Sequence, residues 1–209
     1  MIIIDNFIQD LDLLDRISED KSFWEPGYRW WDGWWAADKE DLRHELIQQI
    51  WGENSPHAAI SCSGFEHWIG DFNQDEESHF IFDMPWSLKP HFDKDEEHWT
   101  NTKEVIGPKL GTVFYPCREI DEMEGGLLHY WDDYSADLLT EDHMLVSPPS
   151  PPELIKAKFN RLIIFDASKL HAVSKVTKGR RRAIAINLWD KKPLEFEKEV
   201  AVPTTLKKD

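Results

Sequence analysis

The sequence predicts a mainly β domain whose helices are confined to the N-terminal part, the β portion being a sandwich or a barrel. Three observations carry this. Helical periodicity stops before residue 58. Beyond it, short apolar runs recur at 58–62, 65–72, 79–84, 110–115, 126–131, 161–166 and 182–189, separated by Gly, Pro and acidic loops, which is the pattern of short strands joined by turns. The length of 209 residues, with 41% hydrophobic and 12% aromatic content, suits one globular domain with a real core. Residues 1–209 are therefore expected to form a single domain: 1–57 as helical support and aromatic loop, 58–190 as the β core, and 191–209 as a tail.

The elements follow in order. Ile2, Ile3 and Ile4 are a β-branched run, expected as a short strand. Leu11, Leu13, Leu14 and Ile17 fall at helical spacing over 10–19. The stretch 22–36 is aromatic and glycine-bearing, ending in Trp30-Trp31-Asp32-Gly33-Trp34-Trp35, and reads as a loop. Leu42, Leu46, Ile47, Ile50 and Trp51 share one face of a helix over 39–51, with Asp38 as its N-cap and Gly52 as its stop. Ser147 to Pro152 carries four prolines and must be extended.

Composition excludes several classes. The net charge of -16 argues against a nucleic-acid partner, which would need basic surface to displace counterions from phosphates. Two cysteines, Cys62 and Cys117, are too few for a disulfide scaffold and form no thiolate zinc motif. The N-terminus lacks the basic and apolar regions of a signal peptide, and no run approaches membrane-spanning length. A soluble, cytoplasmic protein without membrane association is expected.

The chemistry is concentrated in two segments. Pro90-His91-Phe92-Asp93 follows a strand-like run, and in a strand residues i and i+2 share a face. His91 and Asp93 then project together as imidazole and carboxylate. Two ligands hold a metal poorly, and His171, between the strands expected at 161–166 and 182–189, is the best third. Two His and one carboxylate on one face of an octahedral ion leave three positions open, as in non-heme iron oxygenases, whereas zinc prefers a tetrahedral site. Among nine histidines a His-x-Asp triplet also arises by chance. The nearest rival is His129 with Asp132 or Asp133, which lacks the spacing; His67, His79, His98 and His143 are further competitors.

The second segment runs from His171 to Trp189. After a turn at Gly179, Ile184, Ile186 and Leu188 share one strand face, and Arg181, Ala183, Ala185, Asn187 and Trp189 the other. The second face suits a polar cavity wall, and an arginine in it can hold a carboxylate through two parallel hydrogen bonds. An ordinary turn with three surface arginines is the alternative.

His91, Asp93, His171, Val173, Val176, Gly179 and Arg181 together resemble the motif of the Fe(II)/2-oxoglutarate-dependent oxygenases of the prolyl 4-hydroxylase type, with His171 standing 78 positions after Asp93. Leu110 to Tyr115, Glu124-Gly125-Gly126-Leu127 and the opening residues Met1 to Ile8 are similar to further parts of that family. The resemblance implies a double-stranded β-helix, a cupin-like jelly-roll barrel packed on N-terminal helices. It implies Fe(II) held by His91, Asp93 and His171, and 2-oxoglutarate anchored by Arg181, with ascorbate as an optional reductant. The expected reaction is hydroxylation of a peptide or protein side chain or a small molecule, with release of succinate and CO2. Asp93 matters here because halogenating relatives lack that carboxylate. Where the family often has a Tyr before the His-x-Asp, this chain has Phe80-Ile81-Phe82, so Tyr115 is the substitute hydroxyl for the co-substrate.

The substrate itself is not readable. Trp30, Trp31, Trp34, Trp35, Trp86 and Trp99 line an entrance or pack in the core, and Asp93 to Glu97 is an acidic loop that either attracts a cation or is simply solvated. A cupin-like metal protein without 2-oxoglutarate, a non-enzymatic jelly-roll binding module and a nucleic-acid demethylase of the same superfamily are the rival readings.

Overall fold

A computed structural model describes residues 1–33, 38–52, 62–74, 85–135 and 150–197. The chain runs β1 (Ile2–Asp5), α1 (Leu11–Glu19), β2 (Arg29–Trp31), α2 (Leu42–Trp51), β3 (Gly64–Asn73), β4 (Trp86–His91), α3 (Glu96–Thr102) and β5 (Leu110–Tyr115). It continues through β6 (Glu124–Gly125), β7 (Leu128–Ser135), β8 (Glu153–Ile155), β9 (Arg161–Phe165), β10 (Lys169–Ser174), β11 (Val176–Lys178), β12 (Arg180–Trp189) and α4 (Leu194–Glu197).

Two antiparallel sheets hold the β core. The larger has six strands in the order β1-β9-β5-β12-β3-β2, and the smaller has four in the order β4-β10-β7-β8. The β12 strand lies inside the large sheet, paired with β3 along its whole length and with β5 over Ile184 to Leu188. The fold is thus mainly β with few helices, as the sequence predicts.

Alternation on these strands sorts side chains into layers. Ile184, Ile186 and Leu188 of β12, Phe114 of β5 and Leu162 and Ile164 of β9 face Leu13, Leu14 and Ile17 of α1 and Leu46, Ile47 and Ile50 of α2. Each such buried Leu or Ile contributes about 1.5–3 kcal/mol. The other face of the sheet turns toward the smaller one, with Tyr115, Leu128, Tyr130, Ile163, Phe165, Val176 and Ala183 in a second cluster. A third cluster, Phe92, Trp131, Tyr134, Leu170 and Ala172, lies on the far side of the small sheet, because on β7 Trp131 alternates with Leu128 and Tyr130.

Several local expectations change. The second helix begins at Leu42, not residue 39, and its N-cap is Asp41, whose side chain accepts from the backbone N–H of His44. Asp38 lies outside the helix, because the carboxylate that satisfies the first turn must sit three residues before the N–H it receives. The expected loop at 22–36 contains β2, which adds to the edge of the large sheet through Arg29 to Trp31. The expected tail contains α4. The 79–84 run, Phe80 to Phe82, most of 58–62, Trp34, Trp35, His57, His79, His143 and Ser147 to Pro149 lie outside the described residues. Cys62 and Cys117 are free thiols.

Strand β1 pairs with β9 from Ile2 to Asp5, and the segment that follows it is held by the side chain of Asn160. Asn160 adopts a left-handed backbone with φ of 56°. Its side-chain oxygen accepts from Ile8 N at 2.9 Å and its amide nitrogen donates to Ile8 O at 2.9 Å. Asn160→Ala leaves two buried backbone groups unpaired and strains the left-handed position. The expected loss is about 3 kcal/mol, seen as a fall of roughly 6–12 °C in Tm; an unchanged melting curve would contradict this account.

Candidate metal centre

His91 ends β4, and His171 sits on β10 directly across from it, the two being register partners. Asp93 lies beyond the end of β4 and is placed by its backbone N–H, which donates to Ala167 O at 3.0 Å. His91 and Asp93 therefore converge through a pinned loop and not through the pleat of a strand, as their spacing alone suggested. The donor atoms of His91, Asp93 and His171 all lie within 4.8 Å of one another, and they form the one such cluster among the described residues. His129, the rival, packs against Trp86 and Trp131 instead.

The ring orientations are fixed from behind. His91 Nδ1 is 2.8 Å from Lys89 O, and His171 Nδ1 is 2.8 Å from Lys169 O. A carbonyl accepts only, so each Nδ1 carries the hydrogen and each Nε2 is directed inward. The two Nε2 atoms stand 3.4 and 3.7 Å from Asp93 Oδ1. Burial, followed by the neighbouring His91, pushes His171 down to about 4. Burial alone would lower His91 too, but the hydrogen bond and charge of Asp93 outweigh it and raise it. Burial would raise Asp93, yet the two histidines and an Asn187 hydrogen bond hold it below the usual carboxylate range. Two imidazole lone pairs and an ionised carboxylate converging on one point fit a divalent first-row metal, and iron in particular.

The cluster opens into a cavity of about 210 Å³ between the sheets. Arg181 lines it away from the cluster and is 3% exposed. Its Nη2 donates to Tyr115 Oη at 2.9 Å and its Nε to Gly126 O at 3.2 Å, while Phe72 and Tyr115 present their rings to the guanidinium. The Glu-Gly-Gly turn explains itself here. Gly125 and Gly126 have φ of 77° and 59°, and a Cβ on Gly125 would meet Lys175 O at 2.1 Å. Only glycine lets this turn bring its carbonyl onto Arg181. Ala183, Ala185 and Gly70 give the cavity a low wall, and Tyr28, 63% exposed, marks its mouth beside Trp68, with ring centroids 5.2 Å apart.

The family now follows. Residues 84–189 match the model of the 2OG-Fe(II) oxygenase superfamily. The chain belongs to that superfamily. The oxygenase therefore uses Fe(II) and 2-oxoglutarate. Its fold is similar to that of a Pseudomonas putida prolyl-4-hydroxylase, with a TM-score of 0.51 at 12% identity over 91% of this chain and 92% of that one. It is equally similar to the non-heme alpha ketoglutarate dependent epimerase SnoN from nogalamycin biosynthesis, with a TM-score of 0.51 at 12% identity over 90% of this chain and 76% of that one. These likenesses establish the jelly-roll fold. A search of curated protein sequences finds no match. No helix among the described residues is long and apolar enough to cross a membrane.

Sequence reasoning missed several residues of this site. Strand β10, which carries His171, is absent from the apolar runs because the histidine interrupts its own. The role of Gly126 was hidden in a backbone carbonyl, and those of Tyr28 and Trp68 depend on tertiary placement. Glu66 carried no signal at all. It is 7% exposed, and its Oε2 accepts from Trp189 Nε1 at 2.9 Å. Burial, then the charge of Asp93, pushes it up to about 8.

That shift has a sign. Between about 4.5 and 8 the folded metal-free oxygenase keeps a proton on Glu66 that the unfolded chain has lost. The Glu66 contribution thus falls as pH rises through that window. Metal-free wild type should lose stability relative to Glu66→Gln by a few kcal/mol from pH 5 to pH 8 in urea unfolding; parallel pH profiles would show that Glu66 stays ionised.

Proposed function

We propose that the oxygenase hydroxylates a C–H bond of a peptide or protein side chain or of a small molecule. In this reading His91, Asp93 and His171 hold Fe(II), and Arg181 with Tyr115 holds the far carboxylate of 2-oxoglutarate. The observation that carries it is a single cavity with two opposed ends. One end gathers two inward-facing Nε2 atoms and a carboxylate oxygen, and the other a buried guanidinium. Bound there, iron and 2-oxoglutarate would supply the oxidation of the C–H bond by dioxygen, one oxygen atom going to the hydroxylated product and the other to succinate, with release of CO2.

The chain's own residues supply position and environment. Lys89 O and Lys169 O hold the imidazoles in one tautomer. Arg181, fixed by Gly126 O and Tyr115, offers a preorganised fork to a carboxylate. Val113, Leu128, Phe72 and Phe165 give the cavity an apolar lining, and a lining of low polarity strengthens each ionic contact. The retained Asp93 carboxylate favours hydroxylation over halogenation. Substrate approaches past Tyr28 and Trp68. The two free thiols fit a reducing, cytoplasmic setting.

His171→Ala should reduce Fe(II) affinity by at least roughly 100-fold with the melting curve retained; unchanged affinity would remove His171 from the centre. Arg181→Ala should raise the 2-oxoglutarate requirement by about 100-fold or more while leaving iron binding near wild type. Equal loss of both would signal misfolding. The deciding experiment is anaerobic titration with Fe(II) and then 2-oxoglutarate. A weak visible charge-transfer band that needs both supports the assignment, and its absence in folded, iron-loaded protein removes it.

A further inference from the structure

The carboxylate of Asp93 has two oxygens with different surroundings. Oδ1 faces the two imidazoles. Oδ2 accepts a hydrogen bond from Asn187 Nδ2 at 3.0 Å. We propose that Asn187 is a positioning residue that occupies Asp93 Oδ2, so that Asp93 presents Oδ1 alone to the metal, and that Glu66 and Trp189 hold Asn187 in the orientation that does this. The inference rests on the assignment of His91, Asp93 and His171 as metal ligands.

The geometry builds the arrangement strand by strand. Asn187 on β12 is register partner to Glu66 on β3 and to Gly111 on β5. It is 2% exposed, so its amide has no water to turn to. Its Nδ2 carries two hydrogens; one meets Asp93 Oδ2 and the second is directed at Glu66 Oε2, 3.4 Å away. A flipped amide would set its carbonyl oxygen against the ionised carboxylate of Asp93, so the chemistry selects one orientation. Trp189 Nε1, two residues along the same face, donates to the same Glu66 oxygen and keeps it in place. On the other side Gly111 leaves the room, since a Cβ there would stand 3.1 Å from Asn187 Oδ1.

The consequence concerns coordination number. A facial triad leaves three positions open, two for a chelating co-substrate and one for oxygen. With Oδ2 held by Asn187, Asp93 uses one position. Without that bond the carboxylate is free to close on the metal through both oxygens and to take a position that 2-oxoglutarate needs.

The test uses the full chain loaded anaerobically with Co(II), whose visible absorption reports coordination number. Asn187→Leu keeps the number and branching of the side-chain heavy atoms and removes the donors. It should bind Co(II), show an altered Co(II) spectrum, and bind 2-oxoglutarate roughly 10- to 100-fold more weakly, with a single cooperative unfolding transition at a lowered Tm in the metal-free protein, because buried Asp93 Oδ2 loses its donor. Glu66→Leu should show the same changes in weaker form, and Glu66→Gln, which keeps the accepting oxygen, should restore the wild-type spectrum. That pair carries the test even if Asn187→Leu does not fold. A wild-type Co(II) spectrum and wild-type 2-oxoglutarate affinity in folded Asn187→Leu, or in Glu66→Leu, overturn the proposal while leaving the ligand assignment intact. A wild-type chain that takes up neither Co(II) nor Fe(II) overturns the assignment and the proposal together.

Discussion

The register between β12 and β3 is the constraint on which the rest of the structure depends. Ten consecutive pairs, from Arg180 opposite Asn73 to Trp189 opposite Gly64, fix it. Side chains on a strand alternate, so a slip of one residue would exchange the two faces. Ile184, Ile186 and Leu188 would enter the cavity, and Arg181 and Asn187 would be forced into the apolar layer under the helices. The cost of burying a guanidinium there, set against the loss of three apolar contacts, makes the observed register strongly preferred. The hydrophobic layer and the polar site are two consequences of one pairing.

The small sheet performs the matching operation. It sets β10 against β4 so that His171 faces His91, and it places Leu128 and Val173 beside them in the cavity wall. Neither sheet contains the site. One contributes Arg181 and Asn187, the other the two histidines, and the bend after β4 swings Asp93 between them. Such sharing explains how a pocket for charged ligands survives in a protein interior. Every ionisable group is answered: Arg181 by Tyr115 and Gly126, Asp93 by Asn187 and the imidazoles, and the imidazoles by two carbonyls. Buried charge is tolerated when it is paired and hydrogen-bonded, and is very costly otherwise.

Local chemistry is also what made much of this readable beforehand. Leu13, Leu14 and Ile17 announced α1, and the alternation after Gly179 announced both faces of β12. The segments that misled are those where a distant contact decides the outcome. The helix start moved to Leu42 because Asp41 reaches His44 N. Strand β2 forms because Arg29 to Trp31 pair with the edge of β3, although their own sequence reads as loop. Trp30 and Trp31 belong to that edge, Trp30 against Phe196 and Trp31 stacked on His44, and among the described tryptophans Trp68 lines the cavity with Tyr28.

The sequence by itself indicated the fold class, singled out His91, Asp93, His171 and Arg181 through a motif that resembles the family's, and set the strand face that carries Arg181, because periodicity and short motifs are local properties of the chain. Tertiary structure alone decided that Asp93 arrives through a loop pinned to Ala167, that Gly126 lends its carbonyl to Arg181, and that Glu66 and Trp189 stand behind Asn187. Each of these is a contact between strands far apart in sequence. Its energy depends on distance, burial and hydrogen-bond direction, quantities that exist only once the two sheets have closed on each other.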